Sequence, residues 1–151
     1  MPDQKSTSLP PDKILAHLQE TLLVAVLSGQ SLPGSDNPIR FPDLSFVLQQ
    51  PKILLLDENL AGSISLKDSP VPVRIISRDD LQKEAHAEGD RAYLHFRPPQ
   101  GSADSVRLTL EASIATQNPA QRTLGLSSMN VSFQKVGNRW QVGDEPAMLA
   151  S

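Results

Sequence analysis

Beyond Gly89 the apolar residues of this chain recur at every second position. Ala92, Leu94 and Phe96 alternate with Tyr93, His95 and Arg97. Val106, Leu108, Leu110, Ala112 and Ile114 then alternate with Arg107, Thr109, Glu111 and Ser113. A strand points successive side chains to opposite faces, so the pattern demands a sheet with one apolar and one polar face. With the apolar faces aligned across the turn from Pro98 to Ala103, Phe96 would oppose Val106 and Leu94 would oppose Leu108. That register sets His95 beside Arg107 and Arg91 beside Glu111.

A third strand follows the Gln117-Asn118-Pro119 turn. Its apolar parity breaks between Leu126 and Met129, which predicts a β-bulge near Ser127-Ser128. Gly137-Asn138 is a two-residue hairpin signal that pairs Val136 with Arg139, Lys135 with Trp140 and Phe133 with Val142. The tail, EPAMLAS, is mildly apolar and is expected to dock back on the sheet.

The first part of the chain has a different period. Leu15, Leu18, Leu22 and Val26 recur at helical spacing, Pro10-Pro11-Asp12 opens the run and Gly29 stops it, so a helix is placed at about 11–28. Residues 1–9 are polar and read as a flexible N-terminus, leaving 10–151 as one α+β domain. Residues 30–42 read as a loop. The stretch 43–49, DLSFVLQ, reads as either a short helix or a strand. KILLLDE (Lys52 to Glu58) is a buried-strand candidate, and SISLK and PVPVRIIS are further short strands, the latter at an edge because Pro72 cannot donate to a ladder. Ser77 caps a second helix by accepting from the Asp80 amide, and Gly89 ends it.

Composition excludes several kinds of chemistry. Without cysteine there is no disulfide, thiolate nucleophile or Cys-ligated metal. A net charge of −3, with no Lys/Arg cluster and few aromatics, argues against nucleic-acid binding. The run ILAHLQETLLVAVL is too short and too polar to span a bilayer, so the chain is expected to be soluble and cytoplasmic, with no membrane partner. His17, His86 and His95 lack metal-ligand spacing, and no nucleophile elbow or phosphate-binding loop occurs. No metal or cofactor is expected.

The order of elements, and a last strand pair with Phe133, Lys135, Gly137, Trp140 and Val142 in an F-x-K-x-G-x-x-W-x-V pattern, resemble the ketosteroid isomerase and nuclear transport factor-like family, with its cystatin-like relatives. The resemblance covers roughly 11–144 and implies a cone: a long N-terminal helix and shorter helices packed on a curved, mainly antiparallel sheet that ends in a four-strand meander. The family includes enzymes, binding modules and assembly domains, so it carries no catalytic residue across. Tyr93, His95, Arg107, Thr109 and Glu111, on the polar face of the central hairpin, are the binding-site candidates. They form the wet back of a sheet if helices cover the Leu94/Phe96 face, and line a pocket if the cone closes over them. The expected function is a non-catalytic binding or assembly module, working as a homodimer through its sheet or as a partner of another protein. The alternative is a small-molecule binding protein or an isomerase- or dehydratase-like enzyme that holds a small apolar ligand between helices and sheet.

Overall fold

A computed structural model describes residues 9–35, 49, 52–67, 69–118, 123–143 and 147–150. Helix α1 (Asp12–Ser28) leads to strands β1 (Ile53–Leu56) and β2 (Val73–Ile76), helix α2 (Arg78–Glu88) and strand β3 (Arg91–Phe96). Then come β4 (Gln100–Gly101), β5 (Ser105–Ala115), β6 (Thr123–Val136), β7 (Arg139–Val142) and β8 (Ala147–Ala150). All eight strands belong to one sheet, in the order β2-β1-β3-β5-β6-β7, with β4 paired to β5 and β8 to β6.

This arrangement corrects the expected one. Among the described residues there are two helices, not a long helix with several shorter ones, and the chain is a sheet-dominated α+β structure. The sheet is also mixed, because β1 runs parallel to both β2 and β3. Strands β3, β5, β6 and β7 follow one another antiparallel across the sheet, and the tail returns as β8 to pair with β6 on the edge that β7 also occupies. The stretch 43–48 lies outside the described residues.

The parallel strands explain why the helices lie on opposite faces. The chain steps outward from β1 to β2, then back past β1 to β3. Two crossovers of the same hand that move in opposite directions must pass over opposite faces. The β1–β2 connection lies on the α1 face, where Leu60, Ile64, Leu66 and Val71 pack on the main core. Helix α2 makes the return on the other face, where Leu81 and Ala85 pack against Leu54, Leu56, Ile76 and Tyr93. Strand β1 is therefore covered on both sides, which is why ILLL carries no alternation.

Helix α1 ends as its sequence dictates. Gly29 adopts a left-handed conformation (φ 70°) and its amide bonds Ala25 O. Leu18, Leu22, Leu23 and Val26 fill the space over Leu94, Phe96, Leu108, Val131 and Phe133. Gln19, which interrupts the apolar run, is fully buried at 0% exposure. Its amide donates to Asn59 O (2.8 Å) and accepts from Ala61 N (2.9 Å), so it pairs with the β1–β2 connection as a strand would. Asp12 accepts from the amides of Gly62 and Ser63 and from the Ser63 hydroxyl, and Glu20 accepts from Ser65 N. These bonds overturn the expected SISLK strand. The segment is irregular, because α1 side chains satisfy the amides that a neighbouring strand would have satisfied.

The β3–β5 register is shifted by four residues from the expected one. Phe96 faces Leu110, Leu94 faces Ala112, His95 faces Glu111 and Arg91 faces Ala115. The apolar faces still align, but the turn is longer. Gln100 and Gly101 pair with Arg107 and Val106 as β4, and the tight turn sits at Gly101–Ser105, where Ser102 N bonds Ser105 O at 2.7 Å. Pro98 and Pro99 lie between β3 and β4 and supply no amide donor, so the ladder bulges there.

Three other expectations fit the backbone. Ala112 pairs with Ser127 and Ser113 with Gly125, leaving Leu126 as the extra residue of a bulge. The Gly137-Asn138 hairpin has the expected register, with Gly137 at φ 62°. Ser77 caps α2 by accepting from Asp80 N at 3.1 Å.

Candidate functional site

The β3–β5 register sets Tyr93 opposite Ser113 and His95 opposite Glu111, all on the α2 side of the sheet. Alternation alone makes this face polar. Helix α2 then covers only part of it, because a short helix crossing from β2 to β3 does not reach β6 and β7. The candidate residues divide accordingly. Tyr93 lies under α2 with 2% exposure, not on a wet surface. His95 and Glu111 sit at the margin of the covered region, with side chains 17% and 22% exposed. Thr109 is half-buried and Arg107 exposed, both on the open part.

At the margin the polar groups form a continuous chain. Arg78, at the start of α2, grips Glu58 through two bonds, Nε to Oε2 at 2.7 Å and Nη2 to Oε1 at 2.8 Å. Tyr93 stands between Arg78 and Ser113, coupled electrostatically to both. His95 Nε2 lies 3.3 Å from Ser113 Oγ and 3.3 Å from Glu111 Oε1. Arg97 Nη1 closes the chain at 3.3 Å from Glu111 Oε2. The Tyr93 and His95 rings lie 5.4 Å apart, centroid to centroid.

The electrostatics follow from this order. The Arg78 bonds hold the Glu58 carboxyl below its ordinary range. Burial pushes the Tyr93 phenol up, opposed by Arg78. Burial also pushes the His95 imidazole down, and the Glu111 carboxylate opposes it. His95 is therefore neutral at pH 7.

Ser113, His95 and Glu111 bring together the residue types of a nucleophilic triad, but not its geometry. A triad needs one imidazole nitrogen on the hydroxyl and the other on the carboxylate. Here both partners face Nε2, so the carboxylate cannot raise the basicity of a nitrogen that receives the serine proton. Ser113 is also buried, at 7% exposure. This cluster orders the α2–sheet junction.

The open part of the face is of a different kind. Thr109 donates to Asn130 Oδ1 at 2.5 Å across the β5–β6 pair. Around that bond stand Arg107, Ser132, Gln134, Arg139 and Gln141, side chains of the same parity on β5, β6 and β7. The sequence reading named Arg107 and Thr109 but missed their β6 and β7 neighbours. The signal was present, because Asn130, Ser132 and Gln134 alternate with Met129, Val131 and Phe133. Arg78 and Glu58 had no such signal, since they come from elements 20 residues apart.

Elsewhere, a shallow cleft of about 280 Å³ lies beside α1, lined by His17, Glu20, Thr21, Gln30, Ser31 and Ser65 among others. Among the described residues no group of three His, Asp or Glu is placed to hold a metal ion. Nor is any described helix long and apolar enough to cross a membrane.

The chain thus presents a sheet-dominated α+β scaffold with one closed polar cluster and one open polar sheet face. No protein-family model, curated protein or solved structure matches it.

Proposed function

We propose that this chain is a non-catalytic binding or assembly module that works through the open face of its sheet. The observation that carries this reading is the contrast between the two faces. On one, the space between α1 and the sheet is filled by Leu22, Leu23, Phe96, Leu108, Leu110 and Phe133, each at most 1% exposed. On the other, β5, β6 and β7 carry hydroxyl, amide and guanidinium groups that α2 does not reach. The filled interior supports binding at a surface over an isomerase-like pocket, which needs a cavity between helix and sheet. The polar cluster around His95 supports the same choice, because its groups are engaged with one another.

The test is site-specific photocrosslinking in the cells that make the protein. A photoreactive residue in place of Ser132 sits on the open face; one in place of Lys13 sits on the exposed side of α1. The reading expects a discrete adduct from position 132 and none from position 13. Adducts from both positions alike, or from neither, contradict it.

A further inference from the structure

The arginines of the open face are arranged on a line. Arg97 N bonds Thr109 O at 3.0 Å, which extends the β3–β5 ladder by one residue and sets Arg97 across from Thr109. Thr109 pairs with Asn130, Arg107 with Ser132, Gln134 with Gln141, and Val136 with Arg139. Moving from Arg97 to Arg107, then to Gln134, then to Arg139, each step crosses one strand and advances two residues along β6. Strands lie about 4.8 Å apart and rise about 3.4 Å per residue, so each step is about 8 Å and the whole diagonal about 25 Å. All four side chains are exposed.

The charges on this diagonal differ from those at the covered end. Arg74, Arg78 and Arg91 are ion-paired to Glu84, Glu58 and Glu88. Arg97 shares Glu111 loosely at 3.3 Å and is 62% exposed. Arg107 and Arg139 form no ion pair with any described residue, although the whole chain carries a net charge of −3. Glu111 is the one carboxylate of this face among the described residues of β3, β5, β6 and β7.

We infer that this diagonal docks an acidic, extended polypeptide segment of a partner protein, laid across β3, β5, β6 and β7. The inference rests on the proposed use of the open face and adds the chemistry of its occupant. A second copy of this chain fits poorly, because a two-fold pairing would set the arginines of one face against those of the other. Nucleic acid also fits poorly. Among the described residues the open face bears no aromatic side chain for base stacking, and its phosphate-binding charge is sparse. A peptide suits it, because Thr109, Asn130, Ser132, Gln134 and Gln141 offer hydrogen bonds to a polar chain between the charged anchors.

The experiment is fluorescence anisotropy with a labelled oligo-glutamate peptide of about ten residues, long enough when extended to span the diagonal. The full chain is expected to bind it with an affinity that falls as salt rises. Arg107→Ala and Arg139→Ala should each weaken binding by up to about fivefold, as for an exposed ion pair. Arg74→Ala, which removes the same charge at the covered end, should leave binding unchanged. Equal weakening by Arg74→Ala, no effect of the paired Arg107/Arg139 change, or absence of peptide binding each overturns the inference. So does equally tight binding of a single-stranded oligonucleotide, or a dimer in sedimentation that the paired change dissolves. A face-specific crosslink at position 132 combined with no peptide binding would sink the acidic occupant and leave the open-face reading standing. Loss of both would sink both.

Discussion

His95 shows how one residue's surroundings become a property of the whole chain. It faces Glu111 and Ser113 from β5, Tyr93 on its own strand, Arg97 just beyond it, Arg78 of α2, and Glu58 after β1. Burial is the largest influence and lowers its pKa from the ordinary 6.5, against the opposing pull of Glu111. The unfolded chain therefore takes up a proton near pH 6.5 that the folded chain does not yet accept. Stability from this group is complete above that pH and is lost as pH falls through the lower folded value. Denaturant unfolding across this window should show wild type losing stability with acid, and His95→Gln losing distinctly less. Equal slopes in the two proteins would contradict the buried, neutral imidazole. The residue scale is also where sequence reading was least complete. Alternation named the face on which Tyr93 and His95 lie, but the path of a helix between β2 and β3 decided that Tyr93 is buried.

At the scale of elements, the informative residues were those with local partners. Ser77 and Asp80 are three residues apart, Gly29 closes its own helix, and Gly137-Asn138 carries its own turn, so each could be read from a short window. The bulge at Leu126 was legible because parity is a local count. The β3–β5 register was not, since it depends on how many residues the turn uses. Pro98 and Pro99 make that turn longer than the shortest hairpin would be. Gln19 was the least legible of all, because its partners Asn59 and Ala61 are about 40 residues away. It reads as a flaw in an apolar stripe and acts as the link between α1 and the β1–β2 connection. Gln19→Leu keeps the volume and removes both bonds, leaving the buried Ala61 N–H without its acceptor. Such a loss costs roughly 1–3 kcal/mol, and chemical denaturation should show it as a lower midpoint with an unchanged slope. A substitution that is neutral would mean the amide pairing adds nothing to the docking of that segment.

At the scale of the molecule, the sheet is used in two ways. In its parallel half β1 is covered on both faces, while β2 at the edge leaves Arg74 and Ile75 exposed. Its β5-β6-β7 half is antiparallel and covered on one. The expected cone of several helices gave too much weight to element order and too little to the continuous apolar run of β1, which marks a strand between two layers. Among the described residues, the open half is where Arg107 and Arg139 stand without an ion pair, and the arginine diagonal gives it a direction. Amide chemical-shift mapping with the oligo-glutamate peptide tests this most directly. The account predicts shifts concentrated at Arg97, Arg107, Ser132, Gln134 and Arg139, with α1 and the buried Tyr93 and Ser113 largely unmoved. Shifts centred on the α1 cleft around His17 and Gln30, or spread evenly over the surface, would contradict it.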